Sequence, residues 1–170
     1  MTERRLYLLR HAKSSWDVHG LADHDRPLAP RGRRAAKAIG GHIREHGIEP
    51  DLILCSTAAR ARETLERIEP PLDERGVRIE TGLYGADAGT LLARLQEIPA
   101  AVGSVMVIGH NPGLEQLALA LVPAGPAVRE LEVKFPTAAL ATLAFRGSGW
   151  DALGRGTAEL IDFIRPRDLE

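Results

Sequence analysis

The sequence has little that would stabilise a chain other than its own core. It has one cysteine, Cys55, so no internal disulfide can form, and no Cys/His spacing typical of a zinc site is present. No apolar run approaches the roughly 18 residues of a membrane-spanning helix. Acidic and basic residues nearly balance, 23 against 22, for a formal net charge of −1. This balance gives no electrostatic reason to expect a nucleic acid or an anionic membrane as partner.

The first residues also lack the features of a secretion signal. The segment MTERRLYLLRH carries early charge, and its apolar run is too short for the hydrophobic region of a signal peptide. We therefore expect a cytoplasmic protein. A length of 170 residues favours one domain over residues 1–170, and we expect a monomer.

Three short apolar runs, each followed by polar residues, predict buried strands. They cover residues 6–9, 52–55 and 105–108. Their residues are continuously apolar rather than alternating, which is typical of parallel strands covered on both faces.

Helical patterns separate these runs. The first begins at Pro30, which suits the first position of a helix, although Ala29 before it offers no hydroxyl cap. Thr90 is expected to cap a later helix, and Asn111-Pro112 opens another. The alternation of strands and helices predicts a three-layer α/β/α sandwich with a mostly parallel central sheet. Beyond these elements, residues 131–135 and 140–145 are predicted to pair as a hairpin at one edge, and residues 160–164 to add a last strand.

The predicted strand ends carry unusual polar groups. Arg10 and His11 follow the first strand, Arg60 lies just beyond the second, and His110 follows the third. Ligands of open α/β sheets bind outside the carboxyl ends of the strands, so we expect these four side chains at one rim. Two arginines and two histidines would repel one another without an anion between them. A phosphoryl group suits such a pocket, because arginine presents a planar fork of donors that matches phosphate oxygens.

Three motifs in this order resemble those of the histidine phosphatase, or phosphoglycerate-mutase-like, superfamily. LRHAKSSWD at residues 9–17 is similar to its RHG signature, STAARARET at 56–64 to its second motif, and VIGHNPG at 107–113 to its third. The resemblance covers most of the chain, from residue 6 to about residue 121.

The resemblance implies a role for each matching residue. His11 would attack phosphorus and become phosphohistidine, while Arg10, Arg60 and His110 would hold the phosphoryl oxygens and stabilise transition-state charge. Lys13 and Asp17, in the loop after His11, are expected to contact the substrate. No metal and no other cofactor is expected, because the protein's own cations would replace magnesium.

Weaker features resemble SixA-type phosphohistidine phosphatases. These are DRPL at residues 25–28, PRG at 30–32 and GHNPGLE at 109–115. Members that cleave esters use a carboxylic acid to protonate the leaving group, and that position here is Thr81. A phosphoramidate has a better leaving group, so a missing acid fits protein phosphohistidine as substrate. Asp87 or Glu80 remains open as an acid that swings into the site.

Three other functions are alternatives to a phosphatase acting on a phosphorylated protein. A small-molecule phosphomonoesterase would use Asp87 or Glu80 on a phosphate ester. A phosphoglycerate mutase would need a more enclosed pocket. A non-catalytic phosphate-binding module would not need the nucleophile His11. Lys13 and Arg26 have two possible roles, contact with an acidic protein substrate or exposure on a solvated surface. The histidines and aspartates of residues 17–25 favour a polar loop over the pocket rather than a metal site.

Overall fold

The computed structural model describes residues 2–70 and 76–170, and within these ranges the chain forms six strands and five α-helices. The strands are β1 (Thr2–Arg10), β2 (Leu52–Ser56), β3 (Val77–Glu80), β4 (Ser104–Gly109), β5 (Leu140–Gly147) and β6 (Glu159–Ile164). The α-helices are α1 (Pro30–Glu45), α2 (Ala59–Ile68), α3 (Ala88–Gln96), α4 (Gly113–Leu121) and α5 (Arg129–Val133). Among the described residues, none of the helices is both long and apolar enough to cross a membrane.

The six strands form one sheet in the order β3-β2-β4-β1-β5-β6. The neighbours from β3 to β1 are parallel, and β5 is antiparallel to both β1 and β6. Only β5 therefore runs against the other strands, which confirms the mostly parallel sheet. Because β2, β4 and β1 are parallel neighbours, their carboxyl ends lie along one edge of the sheet.

Helices cover both faces of the sheet. Alternate residues of β1 enter different cores: Leu6 and Leu8 pack with α3, α4 and α5, whereas Tyr7 and Leu9 pack with α1 and α2. Leu8 and Leu9 are fully buried, as expected for a strand without a solvent face. The predicted three-layer α/β/α sandwich is confirmed.

The predicted hairpin of residues 131–135 with 140–145 is wrong. Residues 129–133 form α5, and β5 lies between β1 and β6. The alternation of Leu131, Val133 and Phe135 resembles a strand, but Leu131 and Phe135 are fully buried whereas Val133 is 86% exposed. A strand would place all three side chains on one face, so the exposure of Val133 between two buried residues contradicts the predicted strand.

The prediction for the start of α1 is correct, and the prediction for the start of α3 is wrong. Helix α1 begins at Pro30 after Ala29, which makes no side-chain cap, as predicted. Helix α3 is capped by Asp87, whose Oδ1 accepts a hydrogen bond of 2.8 Å from the Thr90 backbone N–H. Thr90 thus lies inside the helix, and its expected role as cap is incorrect. Strand β3 was not predicted from the sequence.

Candidate functional site

The ends of β1 and β4 place His11 and His110 side by side. Arg10 is in register with Gly109, and the His11 backbone N–H donates to the Gly109 carbonyl over 3.0 Å. The two imidazole ring centroids are 5.1 Å apart. Both side chains are nearly buried, at 6% and 7% exposure. The predicted meeting of two strand ends is therefore present in the structure.

The second motif joins the same rim from β2 and the start of α2. Ser56, the last residue of β2, has its Oγ 2.7 Å from His110 Nε2. Arg60, the second residue of α2, is buried, and its charge helps to lower the pKa of both rim histidines. The structure thus brings together all four residues expected at the rim.

A backbone carbonyl selects the tautomer of His11. Its Nδ1 lies 2.8 Å from the Ala12 oxygen, which can only accept, so Nδ1 carries the proton and Nε2 the lone pair. Burial lowers the His11 pKa to about 3; the charges of His110, Arg60 and Arg10 act in the same direction, and the Ala12 hydrogen bond opposes them. At neutral pH the imidazole is therefore uncharged, as a nucleophile must be.

The peptide after His11 is held by the threonine that ends the second motif. Thr64, fully buried, accepts from the Ala12 N–H over 3.0 Å and donates to the Arg60 carbonyl over 2.7 Å. One hydroxyl therefore connects the His11 loop to the first turn of α2. The second motif includes Thr64 but does not reveal its partner, because that contact spans 52 residues.

The pKa of His110 is lowered to about 4, first by burial and then by the charge of Arg60. A cationic His110 at neutral pH therefore requires a negative charge beside it. A phosphoryl group would supply that charge, because an adjacent anion favours the protonated form of an imidazole.

Arg10 offers a donor that no described residue uses. Its Nη1 donates to the Phe135 carbonyl over 3.1 Å, whereas its Nε is buried and has no hydrogen-bond partner. Asn111 donates to the same Phe135 carbonyl over 2.9 Å. Burial lowers the pKa of the Arg10 guanidinium from its ordinary value. A buried unpaired donor is costly, and an anion is the natural partner for a guanidinium N–H.

Asp23 is a residue of the site that sequence reasoning missed. Its Oδ2 accepts from Tyr84 Oη over 2.6 Å and from Arg60 Nη2 over 3.0 Å, and its backbone oxygen accepts from Arg60 Nη1 over 2.8 Å. The hydrogen bond from Tyr84 comes first among the contacts that hold the pKa of Asp23 well below its usual range, with Arg26 and Arg60 adding to it. An ionised carboxylate therefore lies against one of the phosphate-binding candidates. The only sequence signal was its place in the polar loop of residues 17–25.

Arg26 stabilises this loop and is not a solvated surface residue. Its guanidinium donates to the Ser15 carbonyl over 3.1 Å, to Ser14 Oγ over 2.5 Å and to Asp23 Oδ1 over 2.9 Å. The guanidinium carbon also lies 3.2 Å from the centre of the Trp16 ring. With only 8% exposure, Arg26 is committed to the fold of the loop.

Lys13 and Asp17 are exposed, and neither makes a side-chain hydrogen bond or ion pair with any residue of the described ranges. The Lys13 backbone is nevertheless fixed, since its carbonyl accepts from Ala29 N over 2.9 Å. A Cβ on Gly32 would overlap that carbonyl, so α1 can approach the His11 loop only with glycine there. Contact of Lys13 and Asp17 with substrate stays a prediction.

The two open candidates for a general acid are committed elsewhere. Glu80 forms a paired ion contact with Arg94, with both N···O distances 2.8 Å, and those hydrogen bonds lower its pKa. Asp87 caps α3, and its bonds to Thr90 lower its pKa. Both carboxyls are therefore ionised at neutral pH, and neither holds a proton to donate.

Side chains of the loop of residues 17–25 pack against the rim. Across residues 2–70 and 76–170, no group of three or more His, Cys, Asp or Glu side chains is arranged to hold a metal ion. His24 instead has its Nε2 2.8 Å from Thr57 Oγ1, and its ring meets the edge of Tyr84 at a centroid distance of 4.9 Å. These contacts fix the loop beside the rim.

A mostly parallel sheet between two layers of helices, with two histidines and two arginines at one rim, defines an α/β class of protein, and comparison with known proteins gives its family. Residues 6–103 match the family model of the histidine phosphatase superfamily, branch 1. The chain therefore belongs to the histidine phosphatase superfamily. Membership of this family supports a hydrolase of the phosphatase type.

Individual relatives are similar over almost the whole chain. An uncharacterised protein of Mycobacterium tuberculosis is 41% identical over 165 residues, covering 94% of this chain and all of its own. A solved structure from Nakamurella multipartitia, provisionally named phosphohistidine phosphatase SixA, is 35% identical with a TM-score of 0.86 and covers 98% of each chain. A second, from Agrobacterium tumefaciens and named in the same provisional way, is 34% identical with a TM-score of 0.83, covering 98% of this chain and all of that one.

Proposed function

We propose that this protein is a phosphatase that passes a phosphoryl group through His11 and acts on phosphohistidine in a protein. The observation that carries the proposal is the His11 imidazole, which is neutral and bonded through Nδ1 to the Ala12 carbonyl. Its Nε2 therefore keeps a lone pair at a rim with two arginines. A neutral imidazole nucleophile among buried cations is the arrangement that attack on an anionic phosphorus requires.

In the first step, His11 Nε2 attacks phosphorus, a new N–P bond forms and the bond to the substrate's imidazole nitrogen breaks. The unpaired Nε of Arg10, the guanidinium of Arg60 and a protonated His110 would hold the three equatorial oxygens. Such donors, fixed before reaction, stabilise the charge of the transition state and are the usual largest catalytic contribution. Arg60 would exchange part of its contact with Asp23 for the phosphoryl oxygen.

In the second step, water attacks the phosphorus of phospho-His11 from the side that the substrate's imidazole has left. The N–P bond breaks, its electron pair returns to Nε2, and inorganic phosphate leaves with the oxygen of water. The proton stays on His11 Nδ1, which donates it to the Ala12 carbonyl throughout, so the nucleophile regenerates in its starting tautomer. This chain's own residues supply the nucleophile and the donors that hold the phosphoryl oxygens, and we propose that turnover is independent of metal.

The substrate preference rests on the protonation state of the carboxyls near the rim. Asp23, Glu80 and Asp87 each have a lowered pKa, so no described candidate holds a proton for an alkoxide leaving group. A phosphohistidine protonated on its second ring nitrogen leaves as neutral imidazole, whose conjugate acid has an ordinary pKa of about 6.5. Such a leaving group needs no acid. The provisional phosphohistidine phosphatase names of the two similar structures point the same way.

The test is the rate of phosphate release from a histidine-phosphorylated carrier or phosphotransfer domain, with a generic aryl phosphate measured in parallel and chelator present throughout. We expect fast loss from phosphohistidine, slow cleavage of the aryl phosphate and no effect of the chelator. His11→Ala should abolish both activities, and Arg67→Ala on the exposed side of α2 serves as its control. A preference for the aryl ester would move the function to small phosphate esters.

A further inference from the structure

A second concave surface adjoins the rim. It is a groove of about 1040 Å³ between the first turns of α1, helix α5 and the segment of residues 165–170. Arg31 and Arg34 line its α1 side, and Val133 and Lys134 its α5 side. The proposed reaction uses none of these four residues.

The groove is strongly basic in a chain whose net charge is −1. Six of its lining residues are lysine or arginine, and two are glutamate. Arg165 is already paired, with Asp168 at 3.1 Å and Glu130 at 3.8 Å. By contrast, Arg31, Arg34 and Lys134 are exposed and make no side-chain hydrogen bond or ion pair within the described ranges. These cations are available to an external anionic partner.

The rest of the lining favours a polypeptide over a nucleic acid. Val133 is 86% exposed, and Ala35 and Leu169 add apolar surface beside the cations. None of the residues that line the groove in the described chain is aromatic. Proteins that bind single-stranded nucleic acid stack bases on aromatic side chains, which this surface does not offer. Cations interspersed with small apolar residues suit a protein segment rich in Asp and Glu.

The groove reaches the reaction site through the backbone. Lys13, two residues after His11, lines its edge, as do Pro136 and Thr137. The next residue, Ala138, donates its N–H to the carbonyls of Arg10 and His11 over 3.0 and 3.1 Å. A chain bound at this edge of the groove would therefore contact segments that are joined directly to the backbone of the nucleophile.

We propose that this groove binds an acidic segment of the phosphorylated protein and so presents its phosphohistidine to His11. The inference rests on the proposed function for its substrate, and it adds the chemical character of the protein that carries the phosphohistidine. Electrostatic docking of this kind raises the rate of encounter and weakens as salt screens it.

The test compares a groove variant with a variant of equal charge elsewhere. Arg34→Glu combined with Lys134→Glu reverses one cation on each wall. Arg67→Glu combined with Arg155→Glu makes the same change at exposed residues outside the groove. Binding of a fluorescent polyglutamate peptide is measured first, because it does not depend on turnover. We expect the groove variant to bind about tenfold more weakly than the wild type at low salt, and the control to bind as the wild type does.

The second measurement separates docking from chemistry. For a histidine-phosphorylated carrier with acidic surface around its histidine, kcat/KM should fall about tenfold in the groove variant. For free phosphohistidine it should not change. Equal polyglutamate binding by all three proteins would overturn the groove proposal, even with full turnover. Tighter binding of a single-stranded oligonucleotide than of polyglutamate would also overturn it. Absence of turnover on any phosphohistidine protein would refute the proposed function, while the peptide measurement would still decide the groove.

Discussion

Replacing Thr64 by valine removes the hydroxyl that holds the peptide after His11. Valine keeps the shape of threonine, so the change leaves no cavity and isolates the hydrogen bonds. The Ala12 N–H then loses its 3.0 Å acceptor in a region where Thr64 and Ala12 are fully buried. A buried donor left without a partner costs about 1–3 kcal/mol, and we expect Thr64→Val to lower the free energy of unfolding by that amount.

The same change should reach the chemistry. The Ala12 carbonyl fixes the His11 tautomer, and Thr64 is the side chain that anchors the N–H of Ala12. We therefore expect a lower kcat in Thr64→Val, whereas Thr64→Ser, which keeps the hydroxyl, retains most of the activity.

Urea denaturation and thermal melting measure the stability part of this prediction. For a chain of this length, each kcal/mol corresponds to about 2–4 °C in Tm. Thr142→Val is a matched control, because Thr142 is a nearly buried threonine of β5 whose hydroxyl makes no hydrogen bond within the described residues. Equal stability and activity in the Thr64→Val and Thr142→Val variants would refute the role assigned to this hydroxyl.

Three further predictions follow from contacts at the rim. Gly32→Ala should destabilise the fold and lower kcat, because the added Cβ would overlap the Lys13 carbonyl. Gly41→Ala, on the same helix, meets nothing within 4 Å and should be neutral or stabilising by about 0.5–1 kcal/mol. Urea denaturation measures the stability of both variants. Asp23→Asn removes the carboxylate that competes with phosphate for Arg60, so inorganic phosphate should inhibit this variant at a severalfold lower concentration than it inhibits the wild type. The control Asp25→Asn should behave as the wild type. Weaker inhibition of Asp23→Asn would show that the carboxylate mainly positions Arg60. The pKa of His11 is lowered to about 3 and that of His110 to about 4. Between these values and a pH of about 6.5, the folded state therefore binds fewer protons than the unfolded state. The free energy of unfolding should therefore fall as pH drops from about 7 to about 4, and asparagine at either histidine should reduce that slope; an unchanged slope would contradict the lowered pKa values.

The sequence predicts the layers and the rim because both depend on local patterns. Continuous apolar runs indicate strands buried on two faces, and parallel strands place their carboxyl ends at one edge. That reasoning brought Arg10, His11, Arg60 and His110 together from positions up to 100 residues apart. The absence of a capping side chain before α1 was also predictable, from Ala29 and Pro30 alone.

The errors come from patterns with two physical solutions. Apolar residues at 131, 133 and 135 fit a strand, but a short helix that buries Leu131 and exposes Val133 fits as well, and tertiary packing decides between them. Asp87 and Thr90 are both good capping residues three positions apart, and the structure uses the aspartate. The roles of Asp23 and Thr64 depend on contacts between distant segments, which periodicity and spacing do not encode.

The measurement that tests the central claim most directly is the site of phosphorylation during turnover. The protein is mixed with a substrate carrying a labelled phosphoryl group, quenched in base within the first turnover and digested, and the labelled peptide is sequenced. The account predicts an acid-labile, base-stable phosphoryl group on His11 in the wild type, and none in His11→Ala. Label on His110, or full turnover by the wild type with no labelled peptide at any quench time, would contradict it.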